Sequence, residues 1–272
     1  MGFSVNTNVG AMAALQSLNA TNKSLATTQN RINTGMNVAT TKDDSAAFTI
    51  AQTLRGDLGG LKSVGSSLSR AKSATDVAVA GAEQISDLVN QMKANATAAS
   101  DEGLDADSRT AMGKDFDALK EQINTIIDSS EFNGTNLLKA AGGDVKALQS
   151  TDTAATTLDV DNQDFTAIVT AIGATFTDAA TAKTMVDTLD TQAAAINGKL
   201  STLGAASRKI DGQASFVSKL SDVIESGIGN LVDADLAKES ARLQALQVKQ
   251  QLGVQALSIA NQAPQTITSL FR

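Results

Sequence analysis

The chain contains no cysteine, no histidine, no tryptophan and no tyrosine, and only one proline in 272 residues. Without cysteine there can be no disulfide, no thiol nucleophile and no thiolate metal site. With histidine also missing, Ser-His-Asp and Cys-His triads and HExxH zinc motifs cannot be written. Eight phenylalanines are the only aromatics, too few for a thick aromatic core. Much of the 42% hydrophobic content is alanine, and small side chains let helices approach closely. A near-absence of proline removes the commonest helix breaker. The expected class is mainly α: a long-helix coiled-coil bundle with a small β-hairpin region.

Carboxylates are absent from residues 1–42, where Lys23, Arg31 and Lys42 are the charged side chains. Residues 231–272 hold Asp233, Asp235 and Glu239 against Lys238, Arg242, Lys249 and Arg272. The whole chain carries a net charge of −7 and a pI near 4.7, so its acidic surplus lies between the ends. That balance argues against nucleic acid as a partner. No stretch approaches about 18 consecutive apolar residues, so no membrane insertion is expected. The N-terminus lacks a basic region followed by an apolar block, so if the protein leaves the cell it is expected to do so by a route that cleaves no leader. Weakly charged, striped ends around an acidic middle suit a subunit that polymerises through its ends.

Residues 5–34 read as one helix. Ala11, Leu15, Leu18, Asn22, Leu25, Gln29 and Ile32 follow the alternating spacing of a coiled-coil seam, and Gly35 marks its stop. Asp43, Asp44 and Ser45 suit the start of the next helix. It runs to about Ala99 through Ile50, Leu54, Leu58, Leu61, Val64 and Leu68, and Gly59-Gly60 predicts a local irregularity. Residues 108–129 form a further helix with Met112, Phe116, Leu119, Ile123 and Ile126 on one face. Asn133-Gly134 is a hairpin-turn signal. The Thr- and Asp-rich stretch after it alternates at Leu158-Asp159-Val160-Asp161, which suggests a strand, and residues 166–176 suit a short helix or a loop.

Helical pattern returns from Asp178 to Gly229, with Leu189, Ile196, Leu203, Ile210, Phe216, Val223 and Ile228 as apolar positions. The last helix is expected from about Asp233 to Gln262, ended or kinked by Pro264, with a short apolar tail (Ile267, Leu270, Phe271). This helix carries two stripes. One is Ala241, Ala245, Val248, Leu252, Ala256, Ile259 and Ala263; the other is Leu243, Leu246, Gly253, Leu257 and Ala260. A helix apolar on two sides is buried on two sides, and the second side is expected to meet another molecule. Since a lone helix is marginal in water, both ends are expected to order on assembly.

Chemistry is poorly supported. Ser69-Arg70-Ala71-Lys72 matches a Ser-x-x-Lys pattern that chance alone supplies. Asp159, Asp161 and Asp164 lack the Gly and Glu of a calcium loop. No phosphate-loop motif is present. We expect no catalytic, cofactor or metal site.

Several ordered motifs resemble the bacterial flagellins. Val5-Asn6-Thr7-Asn8 resembles the family's opening. Arg31-Ile32-Asn33-Thr34-Gly35, followed by Lys42-Asp43-Asp44-Ser45-Ala46-Ala47, is similar to its "RxxxG…KDDxAG" segment, with Ala47 where glycine is usual. Phe132-Asn133-Gly134-Thr135-Asn136-Leu137-Leu138 resembles the "FNGxxLL" hairpin. Asp233-Ala234-Asp235 with Ala237 and Glu239, then Ala260-Asn261-Gln262-Ala263-Pro264-Gln265 and the final Ser269-Leu270-Phe271-Arg272, match the C-terminus. The likeness covers roughly residues 1–140 and 180–272.

This resemblance implies a subunit that polymerises into the flagellar filament outside the cell, serving motility. Residues 1–34 and 231–272 would form an inner coiled-coil domain, 35–138 and 181–230 a helical rod domain, and 139–180 a short β/loop insertion in place of large outer domains. Packing would rest on Leu15, Leu18, Leu25, Ile32, Leu243, Leu246, Leu252, Leu257 and Ile259. Arg31, Asp43 and Asp44 would make polar junction contacts, and Asn133 and Gly134 the hairpin turn. Implied partners are other copies of the chain, the flagellar export apparatus, a flagellin chaperone, the cap and hook-associated proteins. A hook–filament junction protein shares the terminal plan and is the alternative within the family; a cytoplasmic coiled-coil scaffold is one outside it. Where flagellins detected by the vertebrate innate receptor carry a basic segment, the aligned stretch here is Asp87-Leu88-Val89-Asn90-Gln91-Met92-Lys93, which implies weak recognition.

Overall fold

The structure, a computed structural model, describes residues 7–152 and 157–270, with side chains as far as residue 262. In chain order the elements are α1 (Val9–Thr34), α2 (Ser45–Ala99), α3 (Ala106–Ser129), β1 (Val145–Ala147), β2 (Leu158–Val160), α4 (Thr166–Ile172), α5 (Ala179–Val232) and α6 (Leu236–Leu270). The class is the mainly helical one that the composition implies. Contacts divide the chain into two compact units: residues up to Gly56 with those from Val223 onward, and Asp57–Asp222.

The second unit is organised by a seven-residue repeat. On α2, Leu61, Val64, Leu68, Ala71, Thr75, Ala78, Ala82, Ile85, Val89, Met92, Ala96 and Ala99 are all buried. They advance in alternating steps of three and four, which keeps one seam on one side of a supercoiled helix. On α5 every seventh residue is buried: Ala182, Leu189, Ile196, Leu203, Ile210 and Val217. Phe216 and Val223, expected apolar positions of the same helical pattern, are 57% and 68% exposed. The strict repeat explains the correction, because Val217 and not Phe216 stands two turns beyond Ile210. Lys72 Nζ joins α2 to α5, donating to Ser207 Oγ at 2.7 Å and lying 3.1 Å from Asp211 Oδ2. Lys93 pairs with Asp190.

A threonine can sit in this seam because its hydroxyl is satisfied on its own helix: fully buried Thr75 donates to the Ala71 carbonyl at 2.9 Å. The same back-bond to the residue four earlier recurs at Thr97, Thr110, Thr125, Thr184, Thr188 and Thr191.

No irregularity occurs at Gly59-Gly60, where α2 is continuous. Gly60 serves packing instead: a Cβ there would lie 2.5 Å from Thr151 Cγ2. At the C-terminus of α2 the buried Arg109 guanidinium donates to the carbonyls of Ala99, Asp101 and Leu104 at 3.0, 2.8 and 3.2 Å. These include otherwise orphaned carbonyls, at the negative end of the helix dipole. Asp105 caps α3, its carboxylate accepting from Ser108 N at 2.8 Å. Those hydrogen bonds hold the Asp105 carboxyl below the usual carboxylate range.

Asn133 and Gly134 form a two-residue turn with φ of 52° and 82°. Phe132 and Thr135 exchange both backbone hydrogen bonds across it, at 2.9 and 3.1 Å. Positive φ at both central positions is what Asn-Gly tolerates best. The bridge is isolated and continues into no ladder, because buried Asn136 takes over. Its Nδ2 donates to the Ile127 carbonyl at 2.6 Å, and its Oδ1 accepts from Leu138 N and Lys139 N at 2.9 and 3.0 Å. β1 and β2 pair antiparallel, Val145 opposite Val160 and Ala147 opposite Leu158, all four buried. Phe116 and Phe176 meet edge to face, centroids 5.4 Å apart.

Replacing Asn136 with Ala leaves three backbone groups without partners in a buried loop. Each orphaned group costs about 1–3 kcal/mol. Urea unfolding of the variant should show a loss of at least about 2 kcal/mol; an unchanged midpoint would refute the role given to Asn136.

Candidate self-association site

In the unit that holds both ends, α1 and α6 lie antiparallel. The pairs that meet are Asn8 with Ala260, Leu18 with Gly253, Asn22 with Gln250 and Arg31 with Glu239. The residues of α1 that turn inward are Ala11, Ala14, Leu18, Thr21, Leu25, Thr28 and Ile32, with Thr21 and Thr28 fully buried. This corrects the expected seam at alternate positions. Leu15, Asn22 and Gln29 are exposed, and Ala14, Thr21 and Thr28 take their places.

The physical reason is closeness. A Cβ on Gly253 would come within 3.2 Å of Leu18 Cδ1 and 4.0 Å of its Cα. A seam of Ala, Thr and Gly lets the backbones approach that far; leucines at 15, asparagine at 22 and glutamine at 29 would hold them apart. Thr21 satisfies its hydroxyl on the Ser17 carbonyl at 2.9 Å. Asn22 contributes at the margin, where Gln250 Nε2 donates to its Oδ1 at 2.8 Å.

Helix α6 does show two apolar sides. Glu239, Leu243, Leu246, Gln250, Gly253, Leu257 and Ala260 are buried or half-buried. The other side carries Ala241, Ala245, Val248, Leu252, Ala256 and Ile259, all exposed, with Val248 at 56%, Leu252 at 59% and Ile259 at 69%. On α1, Val9, Met12 and Leu15 are exposed as well. The nine expected packing residues therefore separate. Leu18, Leu25, Ile32, Leu243, Leu246 and Leu257 are half-buried on the seam, while Leu15, Leu252 and Ile259 are exposed among the described residues. Side chains of Ala263 and of the tail residues Ile267, Leu270 and Phe271 lie outside the described residues, as do residues 1–6 at the expected helix start.

The two ends are stitched by backbone. Gly35, left-handed at φ 70°, ends α1. Its carbonyl accepts from Ala234 N at 2.9 Å, and Val232 O accepts from Asn37 N and Val38 N at 2.7 and 3.2 Å. Val38 closes over Ala51, Ile228 and Val232, with Phe48, Leu54, Ile224 and Leu231 around them. Arg31 pairs with the buried Glu239 at 3.3 Å. Asp43 and Asp44 act locally. Asp43 accepts from Thr40 N, Thr40 Oγ1 and Ala39 N, and the Thr40 bonds, first that from its backbone, hold its carboxyl below the ordinary range. Asp44 Oδ1 accepts from Ala47 N at 3.0 Å in the first turn of α2.

Pro264 neither ends nor breaks α6, which continues to Leu270. A proline there offers no N–H to the carbonyl four residues earlier, that of Ala260. Asn8 supplies the missing donor: its Nδ2 reaches the Ala260 carbonyl at 2.7 Å while its Oδ1 caps α1 through Ala11 N at 3.0 Å. The sequence held this signal as an N-cap residue at one end and a helical proline at the other.

Lys72 of the Ser-x-x-Lys pattern is held by Asp76 and Asp211, and hydrogen bonds to these two raise its pKa, so it stays charged and is no base. Asp159 accepts from the Thr157 hydroxyl and Asp164 from Ala167 N. No group among the described residues is placed to hold a metal ion, and none of their helices is long and apolar enough to cross a membrane.

A paired-end helical unit with a second bare apolar face defines a self-associating structural subunit. The family described as bacterial flagellin N-terminal helical region matches residues 5–142, and the bacterial flagellin C-terminal helical region matches residues 186–271. Flagellin FljK of Caulobacter vibrioides is 45% identical over 99% of this chain and 98% of its own length; a flagellin of Brucella melitensis is 36% identical over 99% of each. Among solved structures, Bacillus cereus flagellin is similar with a TM-score of 0.51 and 26% identity, covering 54% of this chain and 86% of that one. A putative flagellar hook-associated protein from Vibrio parahaemolyticus has a TM-score of 0.57 over 70% of this chain and 100% of that one, but 13% identity, which shows the fold alone. The chain belongs to the bacterial flagellin family. It is a structural protein of the flagellar filament and not an enzyme, in a short form without a large outer domain.

The Asn8 bridge makes a testable separation. In assembled protein, Asn8→Ala should lower amide protection both in the first turn of α1 and around Ala260. Asn8→Asp keeps the cap but not the donor, and should lower only the second. Hydrogen exchange that leaves both segments unchanged in both variants would refute the bridge.

Proposed function

We propose that the two sides of α6 divide the work of the filament subunit. The inward seam pairs the ends of one chain, and the outward stripe of Val248, Leu252 and Ile259 packs against neighbouring copies. The single observation behind this is the exposure of that stripe on a helix whose opposite side is already covered. In this reading residues 1–34 and 231–272 are the inner coiled-coil domain, 35–138 and 181–230 the rod, and 139–180 a short insertion. Arg31 is the junction residue, paired across the ends; Asp43 and Asp44 shape the turn beside it.

The α1–α6 seam is built of small residues and half-buried leucines, so it buries little apolar area per turn, and short contacts of this kind stabilise an isolated pair weakly. The ends then order fully only on assembly. Family membership supports the remaining partners: the export apparatus, a flagellin chaperone on the C-terminal helix, the cap and hook-associated proteins. It also supports passage out of the cell without a cleaved leader. A hook–filament junction protein would occur in few copies, and abundance in sheared filaments distinguishes the two.

Leu252→Ser with Ile259→Ser removes apolar surface only from the outward stripe. Filament growth, followed by light scattering and electron microscopy, should fall at least tenfold while the helix content of the dilute chain stays as in the parent. Growth at the parental rate would overturn the assignment. Separately, Asp87 is exposed on α2 where receptor-activating flagellins are basic. Purified monomer should activate the vertebrate innate flagellin receptor poorly, and Asp87→Arg should raise the response.

A further inference from the structure

Near the Arg31–Glu239 pair, Lys23, Ser24, Thr27, Thr28, Arg31 and Arg242 line a cavity of about 200 Å³. Three cations and hydroxyl groups gather there, and α1 contributes no carboxylate, since residues 1–42 contain none. The single carboxylate nearby, Glu239, is shared: Arg31 Nη1 lies 3.3 Å from its Oε1 and Arg242 Nη1 3.9 Å. Lys23 Nζ has no partner among the described residues. Arg31 Nε and Glu239 Oε2 are both buried without a hydrogen-bond partner. A buried donor left unpaired is costly, and so is a gathering of like charges. With three cations facing one carboxylate, the arrangement is short of negative charge.

We infer that this cavity receives a carboxylate from a second copy of the chain. The inference rests on the filament reading above and adds which groups meet. The same unit carries a cleft of opposite character, about 480 Å³, lined by Glu225, Asp233 and Asp235 with Ser226, Gly229 and Asn230. Glu225 and Asp233 are exposed and their carboxylates form no ion pair among the described residues. Asp235 is committed, capping α6 through Ala237 N and Lys238 N at 3.1 Å each. Glu225 and Asp233 therefore supply the carboxylates, and a basic cavity on one copy answers an acidic cleft on the next. Such a heterologous contact repeats without closing, which is the geometry of an open helical polymer. Charge pairing of this kind fixes register and rejects wrong partners more than it adds affinity.

The test is charge reversal with restoration, scored by filament growth at low salt. Lys23→Glu with Arg242→Glu should slow growth at least tenfold. Glu225→Lys with Asp233→Lys should do the same. All four reversals in one chain should recover most of the parental rate, as should an equal mixture of the two double variants in alternating contact. Circular dichroism of each dilute chain, unchanged from the parent, excludes simple unfolding. If the four-fold variant stays as defective as either double one, the acidic cleft is not the occupant and the inference fails. It also fails if reversal at Lys23 and Arg242 leaves growth untouched. It fails again if inorganic phosphate is retained stoichiometrically by parental filaments but not by the Lys23→Glu, Arg242→Glu chain, which would make the cavity a free-anion site. Absence of filaments from the parental chain would instead count against the filament reading itself.

Discussion

The unit that joins the two ends depends on one joint: the backbone hydrogen bonds between Gly35–Val38 and Val232–Ala234. The segments concerned are far apart in sequence, so closing them is entropically expensive. The joint concentrates that closure in a few bonds whose donors and acceptors are main chain and so independent of side-chain identity. Val38 then seals it from water against Ala51, Ile228 and Val232. With one end of the α1–α6 pair fixed, every residue beyond has its partner already set, and the seam can be built from weak contacts. The Arg31–Glu239 pair lies close to the joint, and the Asn8–Ala260 bond at the far end completes the register.

Much of this was legible in the sequence, and the failures have a common cause. Helix positions, the turn at Asn133-Gly134 and the two-sided character of α6 follow from periodicity and local turn chemistry. The phase of the α1 seam did not, because a search for large apolar residues favours Leu15 over Ala14 and gives threonine no credit. Thr21 and Thr28 are buried because a helix can absorb their hydroxyls and because close approach rewards small volume. Phe216 misled in the same way: size suggested burial, whereas the seven-residue repeat of α5 required Val217. The covalent chemistry of Pro264 predicts an end or a kink, but a donor more than two hundred residues away in the chain, on Asn8, offsets the lost N–H. Asp43 and Asp44 are legible as helix-start residues, and their hydrogen bonds stay within residues 39–47.

The α1–α6 pair divides its small and its bulky residues between two sides. Two large apolar side chains of α6, Leu252 and Ile259, stay off the intrachain seam. Small residues bring the chain's own ends together closely, and the bulky ones are left for contacts with something else. Larger side chains in place of Ala14, Thr21, Thr28 and Gly253 would hold the two backbones farther apart. Keeping carboxylates away from α1 works in the same direction, since a buried charge without a partner is expensive.

The hydroxyl back-bonds along α2 and α5 have a mechanical side. Each threonine or serine that donates to the carbonyl one turn earlier shares an acceptor with the helix's own N–H, and such sharing eases local bending. Spread over many turns, as at Thr75, Thr97, Thr184 and Thr191, it gives long helices compliance without a proline or glycine hinge. Load placed on a shaft of such helices is distributed as slight curvature over many residues, so no single point has to yield.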